Sequence, residues 1–237
     1  MPMSTDTAII LAGGLGTRLR SEVPDLPKPM APVSGRPFLE HQVDFWIGQG
    51  VRHFILSVGY RHEAISGHFG EGYRSARITY AVEETPLGTG GGLLLAASQL
   101  ADARSCLVLN GDTFFDISLP AFERFHEQRQ AAWSFALFRA QEPGRYMGME
   151  VAADGRIRSL QSGTGTPGRL ANGGVYLIDP RFLHNLEFTP GARCSLEDDL
   201  LPRLTAGGTV FGMEFAGNFI DIGVPEDYRR CAQLLPA

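Results

Sequence analysis

The chain has 237 residues, 43% of them hydrophobic and 20% charged, ordinary for one globular α/β domain or a domain with a subdomain. A net charge of −5 argues against a basic nucleic-acid-binding face, so any anion site must be local. No apolar run approaches the ~20 residues of a membrane helix, and Met-Pro-Met-Ser-Thr-Asp lacks the basic and apolar regions of a signal peptide, so a cytoplasmic protein without membrane contact is expected.

In chain order, Thr7-Ala-Ile-Ile-Leu11 reads as a buried strand that breaks into Ala12-Gly-Gly-Leu-Gly-Thr-Arg-Leu19. Glycine allows close backbone approach and positive-φ turns, and successive N–H groups can line a concave anion site. Arg18 adds a planar fork of donors suited to phosphate oxygens. Lys28 lies between Pro27 and Pro29 on a stiff segment and is the only lysine in the chain. Leu39, Val43, Trp46 and Ile47 mark a helix from Pro37 to Ile47. Strands follow at His53–Val58, Arg77–Val82 and Ser105–Asn110, alternating with helices at Arg61–Phe69 and Gly88–Leu100. This alternation predicts a Rossmann-like, mixed but mostly parallel sheet with helices on both faces, and ligands at the carboxyl ends of its strands.

The second half changes character. A helix over Leu119–Arg129 and a strand over Trp133–Phe138 precede short strands at Gly148–Val151, Ile157–Leu160 and Gly174–Ile178, read as a small β extension. The glycine-rich stretch 162–168 reads as a mobile loop. Ser195-Leu-Glu-Asp198 has capping-box spacing before the apolar run Leu200, Leu201 and Leu204. Strands at Val210–Phe215 and Asn218–Ile222 and a helix over Pro225–Leu235 close the chain. One domain over 1–237 is expected, with a first half to about 130 and a second from about 131. Cys106, Cys194 and Cys231 are odd in number and widely spaced, which suits buried free thiols, and the six histidines show no metal-ligand spacing.

Several readings of the glycine loop compete. A dinucleotide fingerprint is weakened because Leu19 stands where its third glycine belongs, and a Walker A loop is excluded because Pro29 follows Lys28. A second constellation, Leu109-Asn-Gly-Asp-Thr-Phe-Phe-Asp116, places Asp112 just past a strand, where a carboxylate can meet a divalent cation or serve plain turn chemistry. Phe219-Ile-Asp-Ile-Gly223 repeats the arrangement with Asp221, and two such carboxylates could hold one Mg2+ with phosphates supplying further ligands. A third, Glu83-Glu-Thr-Pro-Leu-Gly-Thr-Gly-Gly91, is either a base-reading turn or a helix start with acidic residues complementing the dipole.

Together these residues resemble the sugar-1-phosphate nucleotidyltransferases. That family opens with an L-A-G-G-x-G-T-R-L loop and a P-K-P segment, followed by a G-T-rich turn and a G-D motif. The wording of residues 16–32, of Ile55–Tyr60 and of Asn110–Asp116 is similar to the D-glycero-D-manno-heptose 1-phosphate guanylyltransferase branch, which makes GDP-heptose for surface polysaccharides such as capsule. The resemblance implies the nucleotide-diphospho-sugar transferase fold, with GTP and a sugar 1-phosphate as partners and Mg2+ as cofactor. Leu11, Ala12, Gly13, Gly14, Gly16 and Thr17 would cradle the triphosphate, with Gly111 beside them. Arg18, Lys28 and Asp112 would be catalytic, Arg18 neutralising pyrophosphate and Lys28 holding the α-phosphate. Asp112 and Asp221 would bind the metal. Glu83 or Glu84, Pro86, Gly88 and Thr89 would meet the base, and Gly148, Asn172 and Gly173 the sugar.

One departure stands out. The family carries a Glu-Lys pair after the strand corresponding to Ile157–Leu160, where this chain reads Gln161-Ser-Gly163; Arg169 is the expected substitute for that lysine. Another NTP or sugar, a non-catalytic nucleotide sensor and a dehydrogenase are the rival readings, and a homo-oligomer is left open.

Overall fold

The structure is a computed structural model that describes residues 4–14, 16, 19, 22–100, 103–142, 145–146, 148–161, 167–184 and 191–235. In chain order the strands and helices are β1 (Thr7–Leu11), β2 (Pro32–Val33), β3 (Arg36–Pro37), α1 (Phe38–Gly48), β4 (His53–Val58), α2 (His62–Phe69), β5 (Gly72–Tyr73) and β6 (Ala76–Val82). They continue with α3 (Gly88–Ala97), β7 (Cys106–Asn110), β8 (Thr113–Phe115), α4 (Leu119–Arg129), β9 (Trp133–Ala140), β10 (Gly148–Val151), β11 (Ile157–Gln161) and β12 (Arg169–Ile178). Helices α5 (Pro180–His184) and α6 (Leu201–Ala206), strands β13 (Val210–Glu214) and β14 (Phe219–Asp221), and helix α7 (Pro225–Arg230) complete the fold.

The main sheet runs β11-β10-β12-β7-β1-β4-β6-β5, with β9 paired to β12 and β13. Its centre, β7-β1-β4-β6, is parallel, as the alternating pattern predicts. β1, β4 and β6 step outward in one direction, and the chain then returns to lay β7 on the other side of β1. That reversal opens a crevice beyond the carboxyl ends of β1 and β7, the place where open α/β sheets bind ligands. Beyond β7 the extension is largely antiparallel, through β12 against β7, β9 and β10.

Both faces are covered because successive strand residues point to opposite sides. Ala8 and Ile10 of β1 and Phe54 and Leu56 of β4 join Leu39, Val43 and Trp46 of α1 and Ile65 and Phe69 of α2. Ile9 and Ile55, from the same two strands, join Leu93 and Ala96 of α3 and Leu201 and Leu204 of α6 on the other side. A third cluster packs Phe38, Phe114, Ile220 and Ile222 beneath the segment that carries Lys28. Cys106, Cys194 and Cys231 are buried free thiols. Among the described residues no helix is long and apolar enough to cross a membrane.

The sequence reading did not anticipate β2, β3, β5, β8 or α5, extended α3 to Leu100 rather than Ala97, and differs at three further places. β12 begins at Arg169 rather than Gly174, because Gly173 and Gly174 form a bulge inside one strand instead of ending it. Gly174 has φ +69°, and a methyl there would lie 2.4 Å from Thr113 Oγ1. The closing helix stops at Arg230 and tightens into a 3-10 turn over Cys231–Gln233. The stretch after Ser195 is a π-helical turn, Leu196–Leu200. Ser195 Oγ accepts from the Asp198 N–H at 3.1 Å as a capping box requires, but the Ser195 N–H is returned to Asp199 Oδ2 at 2.7 Å, one residue later. Of the stretch 162–168, only residues 167–168 are described.

His126 of α4 is 4% exposed and shares a 2.8 Å hydrogen bond between Nδ1 and Ser134 Oγ. Burial pushes its pKa down to about 4, against a weaker opposing pull from Asp179. The unfolded chain therefore binds more protons between about pH 6.5 and 4, and stability rises with pH across that window. Urea unfolding should show a loss as pH falls through it, of which about 3 kcal/mol belongs to this histidine. In His126→Gln the difference between pH 7 and pH 4 should shrink by about that amount; an unchanged difference contradicts the assignment.

Candidate functional site

The end of β1 is clamped between its two neighbours. The Ala12 N–H donates to Ser57 O at 2.8 Å, and the Gly111 N–H donates to Leu11 O at 2.9 Å. A methyl at Gly111 would lie 2.7 Å from Leu11 O and 3.2 Å from Ala12 Cα, so only glycine lets the β7 turn close against β1. Gly13 lies against the Glu83 carboxylate, and Gly16, at φ +57°, folds the loop back against Lys28. Thr17 and Arg18 lie outside the described residues.

Lys28 opens the 3-10 turn Lys28–Met30, whose Pro29 and Met30 are buried. The Met30 N–H bonds Pro27 O at 2.8 Å and the Ala31 N–H bonds Lys28 O at 3.0 Å, which holds the side chain inward. The Lys28 side chain is only 9% exposed, and its Nζ lies 2.5 Å from Asp112 Oδ2 and 3.8 Å from Asp221 Oδ1.

The two aspartates are neighbours because β14 pairs antiparallel with β8, setting Asp221 opposite Thr113. The Ile222 N–H also bonds Asp112 O at 3.0 Å. Burial raises the Asp221 carboxyl pKa, and the charge of Asp112 adds to that; Lys28, the Gly223 N–H and Arg145 pull the other way. Asp221 Oδ1 accepts from the Gly223 N–H at 2.6 Å. Two carboxylates converging on one cationic point, each opposing the charge on the other, form a donor set suited to Mg2+ with phosphate oxygens as its remaining ligands. Among the described residues no group of three or more His, Cys, Asp or Glu is placed to hold a metal ion by itself.

The turn after β6 forms the far wall. Glu83 Oε2 accepts from the Leu87 N–H at 2.9 Å and Oε1 from Ser57 Oγ at 3.2 Å, so the carboxylate braces the turn from within. Glu84 is exposed and does not line the cavity. The glycine-rich start of α3 serves packing: Cys194 O accepts from the Gly90 N–H (3.0 Å) and the Gly91 N–H (3.1 Å). A methyl on Gly88 would meet that same carbonyl at 2.6 Å. Thr89 Oγ1 donates to Glu197 Oε2 at 2.9 Å and accepts from the Leu196 N–H at 2.9 Å. Two donors at this helix start are thus taken by a distant loop, a use the sequence reading did not foresee.

These walls enclose one cavity of ≈ 530 Å3, within the usual size of a small-molecule site. It brings together Leu11, Ala12, Gly13, Gly14, Gly16 and Lys28 from the first segments, Glu83, Pro86, Gly88 and Thr89 from the second, and Gly111 and Asp112 from the third. The sequence reading missed Arg193 and Glu197, which also line it. Both come from a loop about a hundred residues beyond the turn it packs against, and only Thr89, as a hydrogen-bonding partner for such a loop, hinted at them.

The expected sugar-facing residues lie elsewhere. Gly148 sits in β10 opposite Gln161 and Ala171, and Arg169 opens β12 opposite Ala140. Asn172 stands at the bulge, its Oδ1 accepting from the Gly174 N–H at 3.0 Å and its Nδ2 donating to Tyr176 OH at 2.8 Å. Gly173 packs on Phe115. None of the four lines the cavity that holds Lys28.

The chain matches the family described as Nucleotidyl transferase over residues 7–236. It is 37% identical to a D-glycero-alpha-D-manno-heptose 1-phosphate guanylyltransferase of Aneurinibacillus thermoaerophilus, covering 96% of this chain and 97% of that one. A protein of the same description from Campylobacter jejuni is 36% identical over 93% of this chain and 96% of its own. Among solved structures, HddC from Yersinia pseudotuberculosis superimposes with a TM-score of 0.85 at 30% identity, covering 97% of this chain and 99% of that chain. The same protein complexed with GMP-PN gives a TM-score of 0.85 at 29% identity over the same shares.

The contrast between two glycines tests the cavity's construction. Gly111→Ala should lower unfolding stability by about 1–3 kcal/mol in urea titration, because its methyl meets backbone. Gly14→Ala has no described atom within 4 Å of its methyl and should stay within about 0.5 kcal/mol of the parent. Equal losses in both would refute this account of the β1–β7 closure.

Proposed function

The chain belongs to the nucleotidyl transferase family, and we propose that it transfers the GMP group of GTP to a heptose 1-phosphate, giving GDP-heptose and pyrophosphate. The observation that carries this reading is the buried ammonium of Lys28 between Asp112 and Asp221, at the open end of the glycine loop. The heptose and guanine assignments are supported by the two heptose guanylyltransferase relatives and by the HddC complex with GMP-PN. A surface-polysaccharide role for the product and a cytoplasmic location belong to the same reading.

The chemistry needs no protein nucleophile. An oxygen of the sugar phosphate attacks the α-phosphorus in line, a new P–O bond forms, and the bond to the β-phosphate oxygen breaks with its electron pair leaving on pyrophosphate. Charge neutralisation and alignment then carry the rate. In the unliganded chain Lys28 and Asp112 neutralise each other; with nucleotide present, Lys28 turns its charge to the α-phosphate. Asp112 and Asp221 would hold Mg2+, which when bound supplies charge neutralisation to the phosphate oxygens. The backbone of Gly13, Gly14 and Gly16 cradles the triphosphate, joined by Thr17 and Arg18 of the same loop. Glu83, fixed by Leu87 and Ser57, shapes the base pocket with Pro86, Gly88 and Thr89. Gly148, Asn172 and Gly173 belong to the sugar side.

The sugar phosphate needs a cation in place of the family lysine that this chain lacks. Arg193 is the better candidate than Arg169, because it is exposed and lines the same cavity as Lys28 and Asp112. Arg193→Ala should raise KM for the sugar phosphate on the order of 10–100-fold, while Arg169→Ala leaves it near the parent value. The reverse pattern would return the role to Arg169.

Pyrophosphate release across a panel of nucleoside triphosphates and sugar 1-phosphates should single out GTP with heptose 1-phosphate. Lys28→Ala should lower kcat by about 10²–10³. GTP binding with no pyrophosphate released from it in the presence of any sugar phosphate would make the protein a nucleotide sensor instead.

A further inference from the structure

Helix α1 carries Gln42, and the residue that caps its C-terminus, seven positions on, is Gln49. Gln42 is 1% exposed. Its Nε2 donates to Asn110 O at 2.9 Å and to Thr113 O at 2.8 Å. Those carbonyls bracket Gly111 and Asp112, so one amide group spans both ends of the turn that presents Asp112. Apart from the strand ladder, the other described backbone–backbone bonds on this turn are the Gly111 N–H to Leu11 O and the Ile222 N–H to Asp112 O. The Gln42 Oε1 is buried and has no hydrogen-bond partner among the described residues. An apolar side chain of the same length would avoid that orphaned oxygen. The amide is therefore placed for its two donors, at some expense in stability.

We infer that Gln42 is a positioning residue for Asp112, fixing the turn so that the carboxylate meets Lys28 and the cation. The inference rests on the reading of Asp112 as a metal ligand. Partners that orient metal ligands typically account for about 10–100-fold in metal affinity or activity. Gln49 is a built-in control. Its Nε2 donates to Ile117 O at 2.9 Å and its Oε1 accepts from the Leu119 N–H at 2.7 Å. It braces a nearby stretch of chain, Ile117 to Leu119, from the end of the same helix, beyond β8 rather than at Asp112.

The test compares Gln42→Met with Gln49→Met, each removing two side-chain hydrogen bonds. Mn2+ binding in the presence of a non-hydrolysable GTP analogue is followed by the electron paramagnetic resonance of free Mn2+. The Mg2+ dependence of kcat and unfolding in urea are measured alongside. Gln42→Met should weaken Mn2+ binding by about 10–100-fold and raise the Mg2+ needed for half-maximal rate in proportion. KM for GTP at saturating Mg2+ should stay near the parent value. Gln49→Met should lose stability while keeping the parent's metal dependence. Gln42→Glu, equal in size but without the amide donors, should behave as Gln42→Met does and serves if that variant fails to fold. Parental Mn2+ binding in the Gln42 variants, or equal weakening in Gln49→Met, overturns the inference. A parent enzyme that binds no Mn2+ and turns over undiminished in EDTA instead overturns the reading of Asp112 as a ligand, a separate failure.

Discussion

The ammonium of Lys28 lies between carboxylates delivered from residues 112 and 221, and the architecture around it is arranged to make that meeting possible. A buried charge is tolerable only with close partners. The chain supplies them by pairing β14 with β8, so that Asp221 stands beside the turn that carries Asp112. The arrangement is deliberately unbalanced, with two acids and one base. The charge of Asp112 works against ionisation of Asp221, and the cluster accommodates one more cation better than it accommodates none. Under the proposed function, a polyphosphate arriving with a divalent cation would relieve both tensions, because the cation would meet the acids and the phosphate the lysine.

The location of this cluster follows from strand order. β7 lies next to β1 although β4 and β6 intervene in sequence, so the turns leaving β1 and β7 face each other at the reversal. The contact is close enough that Gly111 admits no side chain. Gly13 and Gly14 on one turn and Asp112 on the other thereby share one cavity. The glycine turn and the acid pair are separate local features brought together only through this topology.

Features with a local physical cause were legible in the sequence. β1, β4 and α4 have the boundaries read from their apolar runs and flanking turn residues, because a buried parallel strand is a short continuous apolar stretch. Lys28, isolated between prolines as the only lysine, stood out from composition, and its partners Asp112 and Asp221 stood out from their strand-end positions. Long-range packing left weaker marks. The strand was read only from Gly174 onward because nothing nearby announces that Thr113 and Asn110 lie against that glycine. The glycines opening α3 suggested contact with a base, whereas two of their N–H groups are held by Cys194 O. Arg193 and Glu197 went unnoticed since their membership of the site depends on that contact between distant segments.

The same packing explains how the two halves are joined. β12 pairs along β7, whose last residue is Asn110, and the bulge in β12 sets Gly174 against Asn110 and Thr113 on either side of Asp112. Asn172 commits both ends of its amide to shaping that bulge, through the Gly174 N–H and Tyr176 OH. The Asp112 turn is consequently held from four directions, by β1 through Leu11, by α1 through Gln42, by β12 through the bulge and by Ile222 after β14. Two of these holds arise in the first half of the chain and two in the second. The strand that carries Asn172 and Gly173 is thus packed against the turn that carries Asp112, and their relative placement is set by strand pairing.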